Sequence, residues 1–416
     1  MDALPGTLVA EILAFACAPA LVPASPGGAA CCTGGSDAYD FAKRITAPSA
    51  HALRSLASVS TTWRDAAAAI VADHKQRVFT LAFTVGNEER AQTQFEARLK
   101  QHGVRIRDLR VAITTPTQSL WWVLDEEEEG QQEASTLYGQ WIEWERLLIH
   151  VPMLERLDLS GVPLHHFSVR EILEVASLHC PHIQALVLPR KERVHADVVH
   201  ATIDETCRVL YVALARWYNA SERGGLRQLT VPNRDEYDRD RSSTRFLDAV
   251  TSFCPKIEYL DGWKRTYNDV RFIISDESWC APRPSSDGAT DVWTRFCATC
   301  VHLREFSWVV VPFADAYFTP FGNTSKPLLT HLQLTYNAKA PFRIRRSEYS
   351  TSGLCHVVQA CPKLQVLDVI LHRIQPSHAF VYLQLDEMID PDVFNDEFLA
   401  ALTSSCPLLE RIEARP

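Results

Sequence analysis

One recurring phrase limits what this chain can fold into more than any other feature. The phrase is a helical run that ends in Cys, usually followed by Pro and then by apolar-x-x-apolar-x-apolar. Five copies place the Cys at positions 180, 254, 300, 361 and 406. The last two apolar residues are two apart, so they point to the same side of a strand. No single unit could bury that face alone, so the phrase predicts stacked units: a solenoid of parallel strands and covering helices.

The strand part of the phrase also occurs without the cysteine, which extends the repeat along most of the chain. The copies are unevenly spaced, so the connecting loops must differ in length. We expect about eight to ten irregular repeats over residues 76–416. The middle apolar residue of each strand serves as a register marker, and these markers are Leu109, Leu157, Leu186, Leu229, Leu260, Phe306, Leu332, Leu367 and Ile412.

The cysteines are explained by the repeat. Of twelve in the chain, five occupy one structural position, where a small buried hydrophobe ends the helix and the following Pro turns the chain into the strand. Cys297 and Cys300 form a lone CxxC with no second pair at zinc-finger spacing. We therefore expect packing residues, with no metal site and no cofactor.

The first 75 residues have a different pattern. Leu8, Ile12 and Leu13 fall near one face of a predicted helix, and a stripe of Leu53, Leu56, Val59, Trp63 and Ala67 holds one face of another. Between them, a Gly/Pro/Ser/Ala-rich stretch at about 18–49 is typical of a flexible insertion. Residues 1–75 are predicted to form a helical segment of their own.

Two family resemblances follow from these residues. Residues 76–416 resemble the cysteine-containing class of leucine-rich repeats. The Leu4-Pro5 start, the Ile12-Leu13 pair and the Val59-Ser-x-x-Trp63 phrase resemble an F-box. The expected fold class is therefore α/β, with a small helical F-box-like bundle followed by a leucine-rich-repeat solenoid that has parallel strands on one face and helices on the other.

The F-box resemblance implies a partner and a role. F-box segments dock on a Skp-type adaptor, which links them to a cullin scaffold, and the repeats present a protein substrate for ubiquitination. The chain would then be the non-catalytic substrate-recognition subunit of an SCF-type ubiquitin ligase. The positions that match the docking pattern are Leu4, Pro5, Leu8, Ile12, Leu13, Leu56, Val59 and Trp63.

A substrate surface is expected on the strands. The residues that flank each middle apolar position should point away from the core, onto the open face of the sheet. These side chains are mixed in charge, which suits a protein ligand. The predicted contact residues are Arg156, Asp158, Gln228, Tyr259, Asp261, Glu305, His331 and Asp368.

Other classes of function find little support. The net charge is −9, which gives no attraction to nucleic acid or anionic lipid. No apolar run is long enough to span a membrane, and no catalytic motif is recognisable. We expect a cytoplasmic or nuclear protein that is not an enzyme.

Two alternatives stay open. The chain could be a leucine-rich-repeat scaffold without ubiquitin-ligase association, its N-terminal helices being only a cap. It could also be a secreted repeat protein with disulfides, with which the glycosylation sequons at Asn219 and Asn323 are compatible.

Overall fold

A computed structural model describes most of the chain in two compact units, Met1–Pro189 and Arg190–Pro416. The residues described are 6–16, 50–84, 86–114, 142–162, 167–188, 196–221, 224–230, 244–261, 289–307, 314–337, 349–372 and 391–415. The predicted insertion at 18–49 lies outside them.

The described part of the first unit begins with three helices: α1 (Gly6–Ala16), α2 (Ala50–Ala57) and α3 (Thr61–Arg77). α1 and α2 both pack on α3, and together they enclose a small core of Val9, Leu13, Leu53 and Ala67. The described part of residues 1–75 is mainly helical. Its last helix runs directly into the first strand, so the boundary predicted at residue 76 falls in the final turn of α3.

The predicted stripe from Leu53 to Ala67 does not belong to one helix. Ser60 separates α2 from α3, and its hydroxyl accepts a hydrogen bond from the Trp63 N–H at 3.3 Å. This N-cap satisfies a backbone donor that the first turn of α3 would otherwise leave unpaired. Val59 lies in the break and is 62% exposed. The expectation that Val59 shares the buried face is therefore wrong, because the helix ends before it.

The repeats of the first unit alternate strands and helices, and its strands pair in parallel in sequence order. A short 3-10 turn, Gly103–Arg105, follows the first repeat helix. The elements are β1 (Val78–Thr84), α4 (Glu88–His102), β2 (Asp108–Thr114), α5 (Trp144–Leu148), β3 (Arg156–Gly161), α6 (Phe167–His179) and β4 (Ala185–Val187).

The second unit continues the same alternation, and β5 to β10 again pair in parallel in sequence order. A 3-10 turn, Pro391–Phe394, precedes the last helix. The elements are α7 (Ala196–Ala220), β5 (Gln228–Thr230), α8 (Thr244–Phe253), β6 (Tyr259–Asp261), α9 (Ala289–Thr299), β7 (Glu305–Ser307), α10 (Asp315–Gly322), β8 (His331–Asn337), α11 (Thr351–Gln359), β9 (Val366–His372), α12 (Asp396–Ser405) and β10 (Arg411–Arg415).

The register markers lie where the sequence predicts. In the first unit Leu109 pairs with Leu157, and Leu157 with Leu186. In the second unit one unbroken row joins Leu229, Leu260, Phe306, Leu332, Leu367 and Ile412. All of these except Ile412 are at most 3% exposed. The prediction of stacked parallel strands with one apolar row facing the core is confirmed.

The cysteine position is a helix end followed by a turn. The Cys254 N–H closes the last helical hydrogen bond, to the Val250 carbonyl at 2.7 Å, and the Cys254 carbonyl accepts from the Ile257 N–H at 3.0 Å. The same turn closes after Cys361 and Cys406, each at 3.1 Å. Pro occupies the second position of this turn, where its fixed φ is favoured. The five repeat cysteines are at most 2% exposed, as expected for packing residues.

Backbone hydrogen bonds tie each repeat to the next just before the strand. The Arg227 carbonyl accepts from the N–H groups of both Glu258 and Tyr259, at 2.8 and 3.0 Å. The Glu258 carbonyl in turn accepts from Arg304 at 2.8 Å and from Glu305 at 3.3 Å. This forked contact recurs from repeat to repeat, so the register is fixed by the backbone before the strands begin.

Candidate functional site

The helical bundle exposes part of its apolar surface. On α1, Val9 and Leu13 are buried in the bundle core, whereas Leu8 and Ile12 are 40% and 38% exposed. Residues four apart lie on one face of a helix, so α1 carries two adjacent apolar stripes. One stripe packs in the bundle core, and the other is partly exposed.

The structure divides the predicted adaptor-binding residues into three groups. Leu8, Ile12 and Val59 are exposed. Leu13 is buried in the bundle core, and Leu56 and Trp63 pack against it half-buried, so these three shape the bundle. Leu4 and Pro5 lie outside the described residues.

Four of the predicted substrate residues form a continuous row on the second unit. Register pairs Gln228 with Tyr259, Tyr259 with Glu305, and Glu305 with His331. His331 Nδ1 lies 2.9 Å from Thr330 Oγ1 and 4.0 Å from a Glu305 carboxylate oxygen. Burial, together with the charge of Glu305, raises the pKa of the Tyr259 hydroxyl above its usual range, which leaves Tyr259 as a neutral phenol.

The expectation that this face is exposed is wrong at four positions. Arg156 and Tyr259 have no exposed surface, and Gln228 and Asp158 are no more than 2% exposed. Side chains of neighbouring parallel strands stand about 4.8 Å apart, so large neighbours in one row cover each other. A side chain with almost no exposed surface cannot contact a partner directly, so these four residues are not contact residues in this structure.

The other four predicted contact residues are either half-buried or have side chains outside the described part. Glu305 and His331 are half-buried and keep some exposed surface. Asp261 and Asp368 lie in β6 and β9, one row further along the strands, and their side chains are outside the described part. A role for these four in substrate binding stays a prediction.

Arg156 is held by charges of its own sheet. Its guanidinium donates to Asp108 at 2.8 Å and to Asp158 at 3.0 Å, and Arg110 lies 3.5 Å from Asp108. Two Arg and two Asp make this group neutral. Burial acts to raise the pKa of Asp158, but Arg156 and hydrogen bonds from Ser160 outweigh it, so that pKa lies below its usual value. The group stabilises the sheet and has no charge left over for a ligand.

A second ionic group was missed by reasoning from sequence. The Glu258 side chain, which is 9% exposed, accepts a hydrogen bond from Arg304 Nε at 2.8 Å. It also accepts one from Arg227 Nε at 2.6 Å and another from a terminal nitrogen of Arg227. All three residues directly follow the first apolar residue of the strand phrase. Opposite charges at that position in successive repeats could have predicted a contact between neighbouring repeats.

Lys326 is also a departure from the pattern that the sequence could have revealed. Lys326-Pro327 stands where other repeats have Cys-Pro, and its carbonyl closes the same turn, with the Leu329 N–H at 3.1 Å. The ammonium has no exposed surface. It donates to the carbonyls of Cys297 and Thr324, each at 2.9 Å, and lies 4.8 Å from the centre of the Phe321 ring. Burial lowers the pKa of Lys326.

None of the helices described is both long and apolar enough to cross a membrane. Within the same residues, no group of three or more His, Cys, Asp or Glu is placed to hold a metal ion.

Comparison with known proteins gives only distant likenesses, all of them to solved structures. No protein-family model matches the chain, and no curated protein is similar to it in sequence. Among solved structures it is similar to the leucine-rich repeat-containing protein LegL7 from Legionella pneumophila, with a TM-score of 0.35 and 12% identity over 81% of this chain and 90% of that one. A likeness of this size carries no weight for fold or function, which rest on the chain's own geometry.

Proposed function

We propose that this chain is a non-catalytic interaction protein, the substrate-recognition subunit of an SCF-type ubiquitin ligase. The N-terminal bundle docks on a Skp-type adaptor, and the repeats bind a protein substrate. The observation that carries the proposal is the exposed apolar stripe of Leu8 and Ile12, beside the buried stripe of Val9 and Leu13.

Several features support a docking role for the bundle. The three helices have a core of their own, so the exposed stripe is not needed to hold them together. Val59, exposed in the break between α2 and α3, adds an apolar residue from the Val-Ser-x-x-Trp phrase that resembles the F-box. Exposed apolar side chains that belong to a recognisable docking pattern favour a protein partner.

The repeat region suits a role as a scaffold. Its ionic groups pair internally, and it presents half-buried polar residues, Glu305 and His331, on adjacent strands. Holding a substrate near a ubiquitin-loaded enzyme accelerates transfer by raising effective concentration and fixing orientation, and this needs no catalytic group.

Co-purification with a Skp-type adaptor tests the proposal. We expect the full chain to bind the adaptor, and Leu8→Asp with Ile12→Asp to weaken binding by at least about tenfold, since charges replace buried contacts at the interface. Both side chains are exposed in the free protein, so the variant should keep its fold by circular dichroism.

Leu178→Asp is the matched control, because Leu178 is an exposed leucine on a repeat helix, α6. It should bind the adaptor like the original chain. Failure of the original chain to bind, or equal binding by the Leu8/Ile12 variant, would overturn the ligase proposal. The chain would then be better described as a repeat scaffold without ubiquitin-ligase association.

A further inference from the structure

The C-terminal ends of α5 and α6, in the first unit, hold two large apolar side chains in solvent. Ile149, at the end of α5, is 50% exposed, and Leu178, in the last turn of α6, is 58% exposed. The two helices pack on each other, and His179 of α6 lies 3.3 Å from Glu145, which is one turn before Ile149. Ile149 and Leu178 therefore belong to one continuous surface.

These two residues are not explained by the repeat. Each lies two positions before the residue that ends the helical part of its repeat, which is Val151 in one repeat and Cys180 in the next. At the same position, four repeats of the second unit carry small or polar residues, namely Ser252, Ala298, Gln359 and Ser404. The helix end thus closes without a large apolar side chain there, and exposed apolar residues that the fold does not need favour a contact with a partner.

Carboxylates surround this apolar pair. The side of α6 that carries Leu178 also carries the residues three, four and seven positions before it, which are Val175, Glu174 and Glu171. Glu174 is exposed, whereas Glu171 and Val175 are half-buried. The neighbouring helix α5 adds Glu145, whose side chain is 73% exposed. We call this surface the α5–α6 face, and its residues are Glu145, Ile149, Glu171, Glu174, Val175 and Leu178.

Glu171 has a carboxylate oxygen that no donor satisfies. Its Oε2 is buried and finds no hydrogen-bond partner in the described part of the chain. Burial raises the pKa of Glu171 to about 7, with Arg170 acting against this shift and Glu174 adding to it. Burying a carboxylate without a donor costs free energy, which a cation brought by a partner would recover.

The cations next to these carboxylates leave the face acidic. Arg146 follows Glu145 in the sequence, but it pairs with Glu96 at 2.6 Å and with Glu143 at 3.3 Å. His179 lies against Glu145 and carries charge only when it is protonated. Among the described side chains of the face, carboxylates therefore outnumber cations, so a basic partner is favoured over an acidic one.

We propose that the α5–α6 face binds a basic amphipathic helix of a partner protein. The apolar side of that helix covers Ile149 and Leu178, and lysine or arginine side chains beside it pair with Glu171 and Glu174. A helix suits this surface because it presents an apolar stripe and a charged stripe next to each other. The proposal uses the first unit alone and does not depend on the proposed ligase role.

A model peptide tests the charged and the apolar part of the face together. The probe is a fluorescent synthetic helix with one leucine stripe and one lysine stripe, and its control carries glutamate in place of lysine. In fluorescence anisotropy with the full chain at pH 8, the lysine peptide should bind, more weakly as salt is raised, and the glutamate peptide should not. Equal binding of both peptides, or no binding of the lysine peptide, would overturn the proposal.

Substitution of the apolar pair locates the binding. Ile149→Ser with Leu178→Ser introduces a residue that other repeats carry at this position, and it should weaken binding by at least about tenfold. Leu399→Ser is the matched control, at a leucine of α12 that is 44% exposed, and it should bind like the original chain. Equal losses in the two variants would contradict the assignment to the α5–α6 face.

The carboxylate is tested in the same way. Glu171→Gln should weaken binding on the order of tenfold, because a charge-assisted hydrogen bond is lost. Glu397→Gln, at an exposed glutamate of α12, should have no effect, and thermal melts check that each variant is folded. Sedimentation velocity tests the other occupant, a second copy of the chain: a dimer that the Ile149/Leu178 variant loses would assign the face to self-association and overturn the proposal.

Discussion

Single residues show how the repeat position of the cysteine works. The position requires a side chain that can be buried where a helix ends, and a carbonyl that closes the next turn. Cys254 meets both requirements as a small hydrophobe, and burial raises the pKa of its thiol to about 12. Lys326 meets them differently, by donating its ammonium to two carbonyls. The backbone turn is kept, and the cost of the lysine is that of burying a charge.

That cost should appear as a pH dependence of stability. The folded pKa of Lys326 is lowered, so the unfolded chain holds the proton more tightly, and stability is lost as pH falls from about 10.4 towards the folded value. Lys326→Met has no charge to bury, so it lacks this penalty. We measure the free energy of unfolding of both proteins with urea. The value for Lys326→Met minus the value for the original chain should increase as pH is lowered through this window.

Lys256→Met is the control for this comparison. Lys256 is an exposed lysine in the turn after Cys254. The difference in free energy of unfolding between Lys256→Met and the original chain should therefore not change with pH. The buried thiols titrate in all three proteins, so their contribution cancels in the differences. A flat difference for Lys326→Met as well would contradict the assigned burial penalty.

At the scale of elements, contacts between neighbouring repeats are specified by one row of charges. Glu258 lies between Arg227 and Arg304 and binds both, just before β6. Glu155 occupies the same position before β3, but it is exposed and lies 3.7 Å from Arg107. The same residue type at the same repeat position thus has two environments, and burial decides how much each glutamate's ion pairs contribute to stability.

We expect Glu258→Gln to destabilise the second unit by about 1.5–3 kcal/mol, because charge-assisted hydrogen bonds to two guanidinium groups are weakened. Glu155→Gln, the matched substitution, should change stability by less than about 0.5 kcal/mol, since exposed pairs contribute little. Chemical denaturation of both variants measures the contrast. Equal losses at the two positions would show that burial of Glu258 is not what makes its ion pairs stabilising.

At the scale of the whole molecule, the cysteines report on folding. The eight described cysteines are buried and form no disulfide, and burial raises the pKa of Cys180 to about 12 and of Cys406 to about 11. A thiol reacts as its thiolate, so these groups should be inert at pH 8 unless the surrounding repeats open.

Thiol labelling tests this protection. In a variant with Cys17, Cys31, Cys32 and Cys280 changed to Ser, the remaining eight thiols are those of the described residues. We expect slow labelling in buffer and complete labelling in denaturant, with the labelled fraction following the loss of circular dichroism signal. Rapid labelling of several thiols in the native protein would contradict the buried cysteine position.

The sequence alone determined the repeat, its register and its polarity. The spacing of apolar residues dictates which side chains can share a core, and Leu109, Leu260 and Leu367 needed no further information to be placed. Which flanking side chains stay exposed was decided only by the tertiary structure. Arg156 and Tyr259 alternate with core residues as predicted, yet they are buried, because exposure depends on the size and charge of neighbours on adjacent strands, which are far away in the sequence. For the same reason, Glu258 forms a contact between neighbouring repeats.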